Sequence, residues 1–231
     1  MKRIITAVLA AMVVMGGSFA IAQSQTQVKS AAETAKERQQ LEKINKKKLN
    51  EKASKDARKE AKKLEKEGWK SAPGALPMEK QLDKSYLLQM ETNQYGEPEY
   101  IMADAMTTGG NYDAAKMQAM ELAKQNLAGN IQTEVTSLVE NSVSNAQMDQ
   151  GDATSITKSI AASKNLISQS LGRIIPVVEI YRTVNGNNRE VRVQIAYSLA
   201  SAKKVAMEAV RQDLKERGDS LHNKLDELLG W

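Results

Sequence analysis

The residues that could do chemistry in this chain are few, and their spacing limits what they can do. Among 231 residues there is one histidine, His222, and no cysteine. Thiolate metal sites and disulfides are therefore excluded, and so is any site built from several imidazoles. His222 follows Leu221 near the C-terminus, and the sequence offers no carboxylate placed to orient it as a base, which reads as surface or core filling. Ser155-Ile156-Thr157-Lys158 fits the Ser-x-x-Lys spacing of penicillin-interacting enzymes, but so does Ser201-Ala202-Lys203-Lys204. The companion Ser-Asp-Asn and Lys-Thr-Gly elements are absent, so both matches read as chance. Gly109-Gly110 stands before a helical pattern and could aim backbone N–H groups at an anion. No Gly-x-Gly-x-x-Gly or Walker pattern surrounds it, and a structural turn is the plainer reading. Asp149, Asp152 and the group Glu97, Glu99 and Asp104 lack the alternating oxygen spacing of a calcium loop and read as loop and strand-edge solvation. The expectation is a non-enzyme with no catalytic, cofactor-binding or metal-ligating residues.

The one feature with functional content is a run of cations. Residues 29–70 hold fifteen Lys or Arg and eight Asp or Glu, net +7, whereas residues 71–231 hold sixteen against twenty, net −4. Lys46, Lys47, Lys48, Lys52, Lys55, Arg58, Lys59, Lys62 and Lys63 are the candidate contacts to an anionic surface. Such a segment attracts phosphates of lipids, teichoic-type polymers or nucleic acid, although the interleaved acids halve its field. Nucleic acid is disfavoured because no aromatic residues lie between the cations.

The elements that must position these cations follow from periodicity. Gly and Pro are absent from Val28 to Glu67, and Glu42/Lys46, Glu51/Lys55 and Glu60/Lys63 are spaced to pair along a helix. This predicts one long charged helix, an arm over residues 23–70, with no heptad seam through Leu41, Ile44, Leu49, Ala53, Ala57, Ala61 and Leu64. Gly68 ends it, residues 71–77 carry Pro73 and Pro77 and form a linker, and a body spans 78–231. In the body, Tyr86–Glu91 and Tyr100–Met106 read as two strands joined across residues 93–96. Asn111 is placed to cap a long helix with Met120, Ala123, Leu127, Ile131, Val135 and Leu138 buried. After a polar connection over 141–150, Asp152 starts a helix lined by Ile156, Ile160, Ser163, Ile167 and Leu171 and stopped by Gly172.

Residues 178–184 and 189–197 flank Asn185-Gly186-Asn187-Asn188 and read as a hairpin. Val191, Val193, Ile195 and Tyr197 take its covered side, Arg192 and Gln194 its wet side. A helix over about 201–217 and a short one with Leu221, Leu225, Leu228 and Leu229 close the chain. The expected fold class is α+β, a short antiparallel sheet with helices packed on one face, preceded by the long charged helix.

The N-terminus gives the compartment. Lys2 and Arg3 precede the apolar run Ile4 to Met15, which Gly16-Gly17 breaks before Ala20-Ile21-Ala22. That order is the layout of a secretory signal over residues 1–22, with cleavage expected between Ala22 and Gln23; the competing reading is an uncleaved anchor over the nineteen residues Ile4 to Ala22. The expected localisation is export, to the periplasm, in association with the outer membrane or secreted, with any membrane association of the mature chain peripheral.

Ala103-Asp104-Ala105-Met106, the glycine break, Ala114, Ala115, Ala119, Ala123, Leu127-Ala128 and Ile131, and downstream the Tyr181-Arg182 strand with its hairpin, together resemble the LPP20-like lipoprotein family of bacterial envelope proteins. The resemblance covers about residues 80–200. It implies a small α+β envelope domain without known catalytic residues. The family's lipidated cysteine is missing here, so lipid anchoring does not carry over. The Glu67-Gly68-Trp69-Lys70 junction resembles envelope proteins of the Bacteroidota, in which Asp219-Ser220-Leu221 matches an O-glycosylation pattern at Ser220. The functional expectation is a non-catalytic structural or interaction protein whose partner is an envelope protein or an anionic envelope polymer. The alternatives are an anion- or nucleic-acid-binding module acting through the arm, and a periplasmic hydrolase with an unrecognised site.

Overall fold

A computed structural model describes residues 31–144, 148–223 and 225. The signal segment, the Ala22–Gln23 junction, Leu228 and Leu229 lie outside them. The chain divides into two compact units, Met1–Glu51 and Lys52–Trp231. In the first, α1 (Ala31–Asn50) is a helix whose Lys46 Nζ lies 2.7 Å from Glu42 Oε1. Leu41, Ile44 and Leu49 on it are exposed.

The second unit begins with α2 (Lys55–Lys66), so the predicted single long helix is two helices and the boundary falls before residue 52, not at 71–77. Ser54 causes the break: its side chain accepts from the Ala57 N–H at 3.3 Å as an N-cap, while its own N–H donates to Asp83 Oδ1 at 2.9 Å. The far end is closed by Gly68 in left-handed backbone, φ +89°. There Gly68 N–H bonds Glu65 O and Trp69 N–H bonds Leu64 O, both at 3.0 Å, a Schellman closure that turns Trp69 inward beside Leu64. Trp69 leads into β1 (Lys70–Ser71), inside the predicted arm and linker.

Next comes α3 (Met78–Met90), which corrects the predicted strand at 86–91. The face α3 buries carries polar Gln81 and Ser85 beside Met78, so apolar patterning misses its helical period. The predicted turn does form: Asn93 N–H bonds Glu97 O at 2.8 Å, but only the single bridge Thr92–Pro98 closes over it.

After it come β2 (Tyr100–Gly109), α4 (Tyr112–Ser144), α5 (Gln150–Ala162), α6 (Lys164–Ser170), β3 (Ile175–Val184), β4 (Asn188–Ser198) and α7 (Leu199–Glu216), then a 3₁₀ turn at Ser220–Asn223. Asn111 caps α4 as expected, its Oδ1 accepting from Ala114 N–H at 2.8 Å. Asp149, three residues before the expected Asp152, caps α5 by accepting from Gly151 and Asp152 N–H. The β3–β4 hairpin turns through left-handed Asn185 (φ 41°) and Gly186 (φ 79°).

The four strands form one antiparallel sheet in the order β1-β3-β4-β2. The fold is α+β. One face carries Ala103 and Ala105 of β2 and Val191, Val193, Ile195 and Tyr197 of β4. It is covered by α4 through Ala115, Ala119, Ala123, Leu127 and Ile131, with α5, α6 and α7 behind. The second face, expected wet, is covered in part. Val178, Ile180 and Ala196 there share a cluster with Met78 of α3 and with Ala61, Leu64 and Trp69. Arg192 stays 40% exposed in its side chain, while Gln194 takes a hydrogen bond from buried Ser85 at 2.6 Å. Face-two covering by α2 was invisible to composition because two alanines and one leucine hold a helix otherwise made of charges.

Three measurements check this arrangement. Limited trypsin digestion is expected to leave a resistant fragment that begins at about Lys52 to Lys55. A chain started at residue 78 is expected to melt lower than one started at 52, because it leaves Val178 and Ile180 without Leu64 and Trp69. Gly109→Ala is expected to cost about 1–3 kcal/mol by urea unfolding, because a Cβ there would lie 2.8 Å from the Ala115 backbone nitrogen. At Gly110 a Cβ would meet nothing within 4 Å, so Gly110→Ala is expected to be near neutral.

Candidate functional site

The nine cations singled out from sequence separate in the fold. Lys46, Lys47 and Lys48 lie on α1, Lys52 precedes α2, and Lys55, Arg58, Lys59, Lys62 and Lys63 lie on α2. On α2 a geometric order appears. At 100° per residue, buried Ala57, Ala61 and Leu64 take one side, and Lys55, Lys59, Lys62 and Lys66 line up along the opposite side at spacings of four, three and four. Arg58 and Lys63 flank the line. Lys66 was missed in the sequence reading, although it stands four residues after Lys62 and in phase with it.

The stripe spans about 16 Å of helix axis at 1.5 Å per residue. All four of its lysines are exposed, and among the described residues none has a carboxylate within ion-pair distance. The expected Glu60–Lys63 pair does not form, and Glu51 and Lys55 fall on opposite sides of the helix break. Lysines three and four apart on one helix repel one another. An open groove of about 560 Å³ is lined by Lys59, Lys62, Lys63 and Lys66 together with Asp56 and Glu60 of the same helix and Tyr86 of α3.

The stripe is held rigidly. Arg182 of β3 stacks its guanidinium 4.6 Å from the centre of the buried Trp69 ring, which fixes the end of α2. The same guanidinium donates through Nε to Glu190 Oε2 at 2.6 Å. On the opposite face of the sheet, Glu179 accepts from the Tyr112 hydroxyl and pairs with Lys116 Nζ at 2.7 Å. Tyr112 also packs edge-on against Tyr181 at 5.4 Å. Burial, then the bond to Glu179, pushes the Tyr112 phenol well above its usual range.

The catalytic candidates take structural partners. Ser155 donates to Asp219 Oδ2 at 2.7 Å, and His222 Nδ1–H donates to the Asp219 backbone carbonyl at 2.5 Å. The imidazole thus meets a carbonyl and the serine a carboxylate, so nothing in this geometry passes a proton from Ser155 to His222. Asp219 Oδ1 accepts from the Leu221 N–H at 3.0 Å and starts the 3₁₀ turn that buries Leu221. Ser201 and Ser220 are exposed. Gly109 ends β2 against the start of α4, a packing role. Glu97 bonds Asn93 Nδ2 at 3.0 Å and faces Lys203 at 3.6 Å, and Asp104 lies 4.0 Å from Arg192. Among the described residues no three His, Asp or Glu side chains converge as metal ligands, and no helix is long and apolar enough to cross a membrane.

The Leu221 N–H, then the Ser155 hydroxyl, hold the Asp219 carboxyl below the usual carboxylate range. A carboxyl whose folded pKa lies below its unfolded value adds stability that is complete above the unfolded pKa and lost as pH falls through the folded one. Thermal melts taken from neutral pH down through the carboxylate range are therefore expected to show a shallower acid decline for Asp219→Asn than for the parent. No family model, no curated protein and no solved structure matches this chain.

Proposed function

We propose that this chain is a non-catalytic interaction protein of the cell envelope whose body presents the lysine stripe of α2 to an anionic polymer or surface. The observation that carries this reading is the registration of Lys55, Lys59, Lys62 and Lys66 opposite Ala57, Ala61 and Leu64. A solvated face opposite an apolar stripe is charged in any surface helix, but four like charges in register without ion-pair partners destabilise it. A line of anions relieves that repulsion, and its charge-assisted contacts cost little ordering because the helix is already fixed. The cell-envelope part rests on the secretory layout of residues 1–22. The LPP20-like likeness is compatible with it, since Ala103 and Ala105 on β2, Ala115, Ala119 and Ala123 on α4, and Tyr181 on β3 pack in one layer of the body. The non-catalytic part is supported by the partners that Ser155 and His222 take.

Binding to a phosphate-bearing polymer is expected to fall steeply as salt rises. Replacing Lys55, Lys59, Lys62 and Lys66 together by Gln is expected to weaken it more than tenfold and to flatten the salt dependence, with a melting temperature equal to or above the parent's. Replacing Lys46, Lys47 and Lys48 is expected to do less. Undiminished binding by the α2 variant at low salt would overturn the reading.

A further inference from the structure

Where α2 and α3 meet the second face of the sheet they leave a cleft of about 160 Å³. Its apolar wall is Leu64, Leu82, Val178 and Ile180. Its polar wall is ordered by a short hydrogen-bonded chain: Gln89 Nε2 donates to Ser85 Oγ at 3.0 Å, and Ser85 donates to Gln194 Oε1 at 2.6 Å. With its oxygen engaged by Ser85, Gln194 keeps its NH₂ group for another acceptor, beside Arg192 two residues earlier on the same face of β4.

Beyond that chain, other polar groups of the cleft are left without protein partners among the described residues. Among the described residues, nothing accepts from the Gln194 NH₂, no cation lies within ion-pair distance of Glu60, and no partner meets the Tyr86 hydroxyl. Arg192 has only Asp104, at 4.0 Å. Three pairs elsewhere in the body close more tightly, Arg182–Glu190 at 2.6 Å, Lys116–Glu179 at 2.7 Å and Arg217–Asp213 at 2.8 Å, whereas Lys203–Glu97 at 3.6 Å is nearly as long. Burial, then the carboxylates of Glu60 and Asp56, hold the Tyr86 phenol above its usual range, so it remains a donor.

We infer that this cleft binds a small zwitterion with a branched aliphatic side chain, the chemistry of a free apolar amino acid. Its carboxylate meets Arg192 and the Gln194 amide, its ammonium meets Glu60, and its side chain lies on Leu64, Leu82, Val178 and Ile180. Charge complementarity selects this class. A simple anion would face Glu60, a simple cation would face Arg192, and a neutral apolar molecule would leave both uncompensated. The volume is well under the ~300 Å³ at which sites for larger organic ligands begin, which limits the occupant to a molecule of amino-acid size.

The test is calorimetric titration of the full chain with L-leucine, with isocaproate, which lacks the ammonium, and with isopentylamine, which lacks the carboxylate. Leucine is expected to bind and each analogue to bind about tenfold or more weakly than leucine, the loss of one charge-assisted contact. Arg192→Gln and Glu60→Gln are each expected to weaken leucine by a similar factor with unchanged melting, and Glu208→Gln on α7 to leave it unaltered. Absence of leucine binding would overturn the inference. So would isocaproate binding as tightly as leucine, or undiminished binding by both cleft variants. The cleft shares Glu60 and Tyr86 with the groove along the lysine stripe but uses none of the four lysines: their replacement is expected to weaken polymer binding more than tenfold and retain leucine, so either reading can fail without the other.

Discussion

A helix can lie directly on a sheet only where the side chains between them are small, and α4 meets β2 and β4 through Ala115, Ala119 and Ala123, all fully buried. That close approach sets the rest of the first layer. It brings the start of α4 against Gly109, where a side chain would collide with the Ala115 backbone. It also carries Asn126 and Asn130 to the edge strand β2, where they donate to the carbonyls of Asp104 and Met102 at 2.9 and 2.8 Å. An edge strand with its carbonyls engaged by side chains is a poorer template for another strand. Further along, larger Leu127, Ile131 and Val135 are buried in the same core, which α5 and α7 share.

The second face is built on a different balance. α3 is held by polar contacts as much as by apolar ones: Gln81 Oε1 accepts from Glu179 N–H at 2.6 Å, and Lys84 reaches the Pro176 carbonyl at 3.2 Å. α2 then docks beside it through Ala57, Ala61 and Leu64, with Trp69 and Arg182 closing the end. So small an apolar stripe is enough because the two alanines lose almost no side-chain entropy on burial. All the mutual repulsion of the lysines is thereby carried on a surface that the body fixes in place. Incomplete covering of this face leaves the cleft beside Arg192, and the same junction supports both functional readings without making one depend on the other.

Much of the first layer could be read from the residues in order. The Asn185-Gly186 turn, the alternation of Val191, Val193, Ile195 and Tyr197, and the Ala115 to Val135 stripe follow from local backbone preferences and periodicity. These act within a few residues, and the structure bears them out. Tyr86–Glu91 patterns as a strand although residues 78–90 are helical, because the buried face of α3 includes Gln81 and Ser85. Their hydrogen bonds to β3 and β4 are what make burial of polar groups tolerable, and no local pattern announces such partners.

The arm shows the same division. By itself the sequence determined that residues 29–70 are cationic, that helix forms over most of the described part of that stretch and that Gly68 closes it, because propensity, charge and left-handed backbone are local properties. It also determined that catalysis by several histidines or by thiolates is impossible here, a matter of inventory. Only the tertiary structure decided that the helix breaks at Ser54, that Ala57, Ala61 and Leu64 face the sheet, and that Lys55, Lys59, Lys62 and Lys66 consequently face out in one line. Which side of a charged helix is buried depends on what lies across from it. Val178, Ile180 and Trp69 supply that surface, and all but Trp69 come from strands more than a hundred residues away.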